Sequence, residues 1–351
     1  MKLIRTEDAV GHVLCHDITQ IIPGQYKGPV FRKGHVVTEE DIPVLLSCGK
    51  ESLYIFEMDE SMLHENDAAL VLCDICKNEY MSASEIKEGK IELKAETDGL
   101  FKIKRDRLRA VNALGEMMIA SRFGDFPVKK GDKLAGMRVI PLVIEKEKME
   151  RARKAAGTEP IFSILPFRPM KVGIVTTGNE VLKGRIEDRF TPAVTEKIRE
   201  YGGTVIGQKL PGDDKDEEVR CIRSFVAEGA DMVVCTGGMS VDPDDRTPYA
   251  IREASDRVIS YGAPVLPGAM FMLAYIDGAV SENDPVPRTV PVVGLPGCVM
   301  YARRTIFDLI LPRIMAGDTI TREELGGLGE GGLCLGCDVC TYPNCGFGKG
   351  R

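Results

Sequence analysis

Residues 170–210 read MKVGIVTTGNEVLKGRIEDRFTPAVTEKIREYGGTVIGQKL. From Lys171 to Val175 runs an apolar segment of strand length. A Gly-containing loop, Thr176-Thr177-Gly178-Asn179-Glu180, follows it, and Val194, Ile198 and Tyr201 then recur at helical spacing. A second apolar run covers 204–209, after which Val219, Ile222, Phe225 and Val226 take a helical period again, and 231–235 returns to strand. Alternation of strand and helix at these lengths predicts an α/β fold, a three-layer arrangement with a mostly parallel sheet between helices. Such sheets bind ligands at the carboxyl ends of their strands.

Upstream the pattern is different. Thr38-Glu39-Glu40-Asp41 reads as a capping box opening a short helix, 91–97 and 100–103 read as a hairpin around Asp98-Gly99, and a helix is predicted over about 105–120. A charged helix over 145–156 is followed by Pro160, Pro166 and Pro169, which places the domain boundary there. The expected organisation is an α+β domain with its linker over 1–165, the α/β domain over 166–318, and a Gly-rich tether with a Cys-rich tail over 319–351.

With 351 residues, two domains are the default, and 44% hydrophobic residues with only 6% aromatics describe an aliphatic core. A formal charge of -7 argues against a nucleic-acid partner, since phosphate neutralisation needs a basic face. No stretch has the span of a membrane helix and the first residues lack a signal peptide's apolar core, so no membrane partner and a cytoplasmic location are expected. In a reducing compartment, 11 cysteines suggest metal or redox chemistry before disulfides.

Three loops follow three of the predicted strands: 176–180, Thr236-Gly237-Gly238-Met239-Ser240, and Gly294-Leu295-Pro296-Gly297. Glycine at a strand end can simply turn the chain, but three such loops at one sheet edge let the backbone approach a ligand. Freed N–H groups there are donors to phosphate or pterin oxygens. Acids lie beside them: Asp213-Asp214, then Asp242, Asp244 and Asp245. Carboxylates next to a phosphate loop suit a divalent ion, Mg2+ being the expected one, although Asp214 reads better as charge at a helix N-terminus.

The stretches VTTGNEVLKGRIEDRF, PGDDKDEEV, VVCTGGMSVDPDDRTP and VVGLPG, in that order, resemble the molybdenum-cofactor biosynthesis domain. That domain is shared by molybdopterin adenylyltransferases, molybdopterin molybdenumtransferases and competence-type nucleotide hydrolases. The resemblance implies pterin binding by Thr176, Thr177, Gly178, Asn179, Thr236, Gly237, Gly238, Met239, Ser240, Gly294, Pro296 and Gly297. It implies catalytic roles for Asp213, Asp245 and Glu180, a molybdopterin partner, bare or adenylylated, with molybdate as a further substrate, and transferase activity. Relatives often dimerise, and the residues leave a homodimer open. Two departures stand out: where molybdenumtransferases carry Lys-Pro-Gly-Lys-Pro and Gly-Leu-Pro-Gly-Asn-Pro, this chain has Val265-Leu266-Pro267-Gly268-Ala269-Met270 and Gly294-Leu295-Pro296-Gly297-Cys298-Val299. Both lysines of the first loop are absent, which favours a non-catalytic carrier or sensor of the cofactor as the alternative. Pyrophosphate hydrolysis is the third reading.

Cys334, Cys337, Cys340 and Cys345 put four thiols within twelve residues. Their spacing resembles the bacterial iron–sulfur run with a last gap of four instead of three; zinc is the rival metal, and a flexible thiol tail the plain alternative. Five glycines within 326–332 predict a flexible tether, so that losing the metal leaves 170–315 folded. Cys73 and Cys76 have the gap of a redox or half-metal site, while His12, His16, His35 and His64 are scattered.

Overall fold

The computed structural model describes residues 2–22, 26–55, 61–240, 242, 245–281 and 284–350; Asp244 lies outside them. The chain divides into two compact units, Met1–Glu96 with Ile103–Arg122 and Lys130–Ser163, and Thr97–Lys102 with Phe123–Lys129 and Ile164–Arg351. Among the described residues, no helix is long and apolar enough to cross a membrane.

The first unit is α+β. Its four-stranded sheet runs in the order Met81–Ala83, Ile91–Ala95, Lys133–Val139, Met117–Ser121. The hairpin expected around Asp98-Gly99 does not form: Ile91–Ala95 pairs with Lys133–Val139, while Gly99–Ile103 pairs with Phe126–Val128 in another sheet. The helix expected over 105–120 stops at Asn112, because Gly115 and Glu116 take positive φ, and 117–121 continues as strand. The helix Asp41–Ser47 has no side-chain cap at its N-cap; instead the Asp41 carboxylate accepts from the Thr38 N–H and hydroxyl. Cys73 and Cys76 face the core from the helix Glu65–Cys76, and burial pushes both thiols up, so they are packing residues here.

In the second unit the elements are β1 Lys171–Thr176, α1 Asn179–Leu182, α2 Phe190–Arg199, β2 Thr204–Lys209, α3 Lys215–Ala227, β3 Met232–Thr236, α4 Thr247–Ala254, β4 Arg257–Tyr261, β5 Met272–Ser281, β6 Asp284–Leu295, α5 Ile306–Met315 and α6 Arg322–Gly326. They build one six-stranded sheet in the order β2-β1-β3-β6-β5-β4. Pairing is parallel from β2 through β6 and antiparallel at β5 and β4. The strands alternate between two cores. Ile174 and Val234 pack with Val194 and Ile198 of α2 and with α5, whereas Val175, Val233 and Cys235 pack with Ile222 and Phe225 of α3 and Ile251 of α4. Both faces are covered, which gives the three layers and explains why the central strands read as continuous apolar runs. Asp214 caps α3 through the N–H groups of Asp216 and Glu217 at 2.9 and 3.0 Å, as the helix-terminus reading of that residue requires.

The tether expectation fails. Thr321 closes a capping box on α6, Leu325 and Leu328 are 1% exposed, and Phe347 is 4% exposed within the same core as α5. Glycine allows the chain to lie close where a Cβ would not fit: one on Gly332 would stand 2.4 Å from the Pro264 carbonyl oxygen. Close backbone approach is what Gly331 and Gly332 provide. Leu328→Ala is expected to cost about 2–5 kcal/mol in chemical denaturation of the full chain. A loss of about 0.5 kcal/mol or less, the size of a surface change, would mean that the segment is loose after all.

Candidate functional site

Because β1, β3 and β6 are parallel and in register, with Thr176 opposite Thr236 and Thr236 opposite Leu295, their carboxyl ends finish level. The loops that follow open at one edge and surround two adjoining hollows. The larger, about 690 Å³, is bordered by Thr176, Thr177, Gly178, Asn179, Glu180, Asp213, Gly237, Gly238 and Asp245 of the predicted residues. The smaller, about 280 Å³, is bordered by Gly237, Gly238, Met239, Ser240, Asp245, Pro296 and Gly297. Thr236 and Gly294 border neither: the Thr236 hydroxyl is fully buried and donates to the Thr176 hydroxyl at 3.1 Å, and Gly294 leaves room for the Met239 side chain. These two shape the loops from behind.

The Thr-Gly-Gly turn is held against the first loop. Thr177 donates its N–H to the Thr236 carbonyl at 2.8 Å and shares a 3.3 Å hydroxyl contact with Thr247 at the start of α4. Gly237 and Gly238 have φ of 83° and 53°, and Cβ atoms there would meet the Thr177 carbonyl oxygen at 2.6 Å and the Thr247 hydroxyl at 2.8 Å. Both glycines are therefore required by the fold of the turn before any ligand arrives. A bulky residue at Gly238 would disturb the loop itself, which makes that position a poor probe of ligand contact.

The carboxylates have distinct duties. Asp245 accepts from the Ser240 N–H at 2.8 Å and closes the loop after the turn. Asp213 accepts from the backbone and side-chain nitrogens of Asn179 and so ties the 210–214 loop to α1. Asp188, which sequence reasoning passed over, accepts from the N–H groups of Phe190 and Thr191 at the start of α2 and from Gln208. Burial raises its pKa, but these hydrogen bonds outweigh that and hold the carboxyl below its ordinary range. Arg189, Phe190, Arg246, Met270 and Met300 also border the hollows and were missed. Arg246 and Arg189 had a signal in IEDRF and DDRTP; nothing local marked the methionines. Glu180 borders the larger hollow at the first turn of α1. Among the described residues, no three His, Cys, Asp or Glu side chains gather around one metal position, here or in the tail.

Behind the turn sits Glu218, 2% exposed, in the first turn of α3. Its Oε1 has no hydrogen-bond partner among the described residues. Burial pushes this carboxyl up to about 7, a bond with Thr247 offsets part of that, and the nearby Asp213 charge adds to the rise. It is thus a buried acid, held above the ordinary carboxylate range, packed under the loop that bears Thr247.

Residues 173–316 match the family model described as a probable molybdopterin binding domain, and residues 3–57 match a domain of unknown function. A molybdopterin adenylyltransferase of Pyrococcus furiosus is 32% identical over 95 residues, 27% of this chain and 56% of that protein. A molybdopterin molybdenumtransferase of Staphylococcus epidermidis is 23% identical over 295 residues, 78% of this chain and 64% of that protein. A CinA-like protein of Mycobacterium sp. strain MCS is 36% identical over 77 residues, 22% of this chain, and the chain spans only 18% of its length. The solved tungsten cofactor synthesizing protein MoaB of Pyrococcus furiosus aligns with 43% of this chain and 89% of its own, at 22% identity and a TM-score of 0.31.

A raised carboxyl favours the folded state while protonated. The Glu218 contribution is complete below its ordinary 4.5 and is lost as pH rises through about 7. Glu218→Gln, which keeps the neutral shape, is expected to remove that slope and to be the more stable protein at about pH 8, with little difference at about pH 4. Denaturation midpoints across this range test it, and parallel profiles for the two proteins would show that folding does not raise the Glu218 pKa.

Proposed function

From a second half that carries a domain of the molybdopterin-binding family at residues 173–316, we propose that this chain binds the pterin of the molybdenum cofactor in the two adjoining hollows and serves that cofactor's biosynthesis. What carries the reading is the convergence of four strand-end loops on one edge, with Gly178, Gly237 and Gly297 and the carboxylates of Asp213 and Asp245 bordering the adjoining hollows. The smaller hollow, with Phe190, Met239, Met270 and Met300, suits a flat heteroaromatic ring, since thioethers and aromatic edges pack favourably on such faces. The larger hollow is polar and suits a phosphate tail.

That polar hollow holds more acid than base: Glu180, Glu187, Asp188, Asp213 and Asp245 against Arg189 and Arg246. A phosphate beside such a set needs a cation, and hard carboxylate oxygens fit Mg2+, which is usually held by one or two carboxylates together with substrate phosphates. Asp213 and Asp245 would hold it, and the ion would supply charge stabilisation to a reacting phosphate or molybdate oxygen. Glu180, at the mouth of the first loop, would orient the ligand or move a proton. The finer reading is a molybdopterin molybdenumtransferase-like enzyme, bare or adenylylated molybdopterin being its substrate and molybdate the second one. A non-catalytic carrier or sensor is the second reading, and one observation favours it. The loop 265–270, lysine-bearing in the transferases, here contributes only Met270 to the hollow, and a Cβ on Gly268 would meet the Ile306 side chain at 2.4 Å, so the loop is packed down on α5. The four tail cysteines belong to either reading as an iron–sulfur or zinc module.

Titration calorimetry with molybdopterin, with and without Mg2+, tests binding, and molybdate-dependent turnover separates enzyme from carrier. Asp245→Asn keeps an acceptor for the Ser240 N–H but removes the charge. Its affinity in Mg2+ is expected to fall on the order of tenfold or more, while its affinity without the ion stays near wild type. No heat from the wild-type protein under either condition would end the pterin reading; equal affinities throughout would end the role given to Asp245 and the ion.

A further inference from the structure

Beneath the Thr-Gly-Gly turn, three polar side chains stand in a row that leads from the interior to the larger hollow. Glu218, on the first turn of α3, is 2% exposed and bonds Thr247 at the start of α4. The Thr247 hydroxyl, itself buried, lies 3.3 Å from the Thr177 hydroxyl, and either of the two can donate. Thr177 Oγ1 is also 3.3 Å from the Thr236 carbonyl oxygen, and Thr177 borders the larger hollow. The glycines of the turn leave this row uncovered. A Cβ on Gly237 would stand 2.7 Å from Thr177 Oγ1, and one on Gly238 would stand 2.8 Å from Thr247 Oγ1. Among the described residues, Glu218 Oε1 is the one carboxylate oxygen that is buried without a hydrogen-bond partner. Packing gains nothing from an acid in such a place, because an unmatched buried oxygen costs free energy.

A hydroxyl carries one hydrogen, so the row can point in either of two directions. An ionised Glu218 only accepts. Thr247 then donates to the carboxylate, Thr177 donates inward to Thr247 or to the Thr236 carbonyl, and the hollow meets Thr177 lone pairs. A protonated Glu218 can donate instead. Thr247, receiving that hydrogen, turns its own toward Thr177, and the Thr177 hydrogen is left for the Thr236 carbonyl or for an acceptor in the hollow. The 3.3 Å bond to Thr236 is long, and a phosphate oxygen offers a stronger, charge-assisted one.

Around Glu218, the titratable groups are Asp213 in the loop before α3 and the thiols of Cys221 on α3 and Cys235 on β3. Val175 and Val233, which face α3 from β1 and β3, carry no charge, and Arg246, Arg252 and Glu253 at α4 are exposed. Burial pushes the Glu218 carboxyl up to about 7, the Thr247 bond offsets part of the rise, and the Asp213 charge adds to it. Burial raises both thiols above their ordinary range, so the acid is the member of this group that changes state near neutrality.

We propose that Glu218 is a positioning residue of the larger hollow: through the Thr247 and Thr177 hydroxyls it decides whether Thr177 offers a hydrogen or a lone pair to the ligand, which ties oxyanion binding to proton uptake by Glu218. This deepens the reading of that hollow as the place of a phosphate and rests on it. The donor form belongs to the protonated acid, so oxyanion affinity is highest on the acid side and falls as pH rises through about 7. Linkage is reciprocal, and a bound oxyanion holds the proton on Glu218.

Inorganic phosphate, with Mg2+ present, is the probe, and its binding to the full chain is followed by titration calorimetry between about pH 6 and about pH 8. Phosphate's own ionisation is common to every protein tested, so the ratio of wild-type to Glu218→Gln affinity isolates the acid. That ratio is expected to fall about tenfold across the range, the worth of one hydrogen bond to a charged group. In buffers of different ionisation enthalpy, wild type should take up more protons per phosphate than the variant. Thr247→Val keeps the acid and breaks the row, so its profile should parallel that of Glu218→Gln. If Thr247→Val kept the wild-type slope, charge would be acting through space and the proposal would be overturned. Parallel profiles for wild type and Glu218→Gln, or no phosphate bound by wild type at any pH, would overturn it as well. Should Thr247→Val not fold, wild type against Glu218→Gln decides. A proton-linked phosphate site in a protein that binds no molybdopterin would uphold this inference and end the pterin reading; molybdopterin bound with parallel phosphate profiles would do the reverse.

Discussion

Parallel registry between neighbouring strands is the constraint on which the second unit depends. Hydrogen bonding β1 to β3 and β3 to β6 in parallel brings Thr176, Thr236 and Leu295 to one level, so every loop that follows must leave from the same edge. Helices must then cover both faces, because parallel strands are connected by crossovers. Val175 and Cys235 fall to one core and Ile174 and Val234 to the other for the same reason, the two-residue alternation of a strand. Moving one strand by a residue would exchange these faces and separate the loops as well. Fold and candidate site are therefore fixed by the same pairing.

Buried charge supports this frame. Asp308, 2% exposed, closes the capping box of α5 with Thr305 and accepts from Lys197 of α2 at 2.6 Å and Arg304 at 2.8 Å. Arg313, 1% exposed, bonds Asp318 at 2.6 Å and Glu324 of α6 at 2.9 Å, and Asp318 also receives Lys102 at 2.9 Å. Lys102 belongs to Thr97–Lys102, a segment distant in sequence that the second unit takes in. Such pairs add little net stability, but removal of one partner leaves a buried charge uncompensated, so they fix which segments must meet. α5 thus anchors the inserted segment, α6 and the Cys-rich tail together.

The two strand-end hollows and the thiol-lined hollow differ in how they are made. The strand-end hollows are built from loop backbone, with glycines pressed against Thr177 and Thr247 and with carboxylates that hold the loops together. The thiol-lined hollow, bordered by Cys334, Cys337, Cys340 and Cys345, is built from a segment without regular structure, held by bridges to 265–270 and by Tyr342 inserted toward α5. Segments 265–270 and 296–304 lie between them, and the first of these is where the chain departs most from the lysine-bearing pattern of the transferases.

Much of this was legible in the sequence. Strand, Gly-bearing loop and amphipathic helix are local signals, and the order of the Thr-Gly and Thr-Gly-Gly loops was enough to gather Thr177, Gly178, Asn179, Asp213, Gly238 and Asp245 at one edge, since parallel strands leave no other place for them. What each residue does there was decided by tertiary contacts. Thr236 and Gly294 face inward because their neighbours fill the space, and the Glu218 carboxyl is pushed up because it is buried under the loop that bears Thr247. Phe190, Met270 and Met300 meet in one hollow only through packing of segments far apart in the chain. The same cause misled the reading of Ile91–Ala95 and Gly99–Ile103, whose pairing partners lie elsewhere in sequence. It also misled the reading of 326–332, where composition suggested a loose tether. Over 170–236 the sequence alone determined which segments become strands, loops and helices, because short-range periodicity and turn chemistry govern them; the tertiary structure decided which surfaces close on one another, because burial depends on partners that no local pattern names.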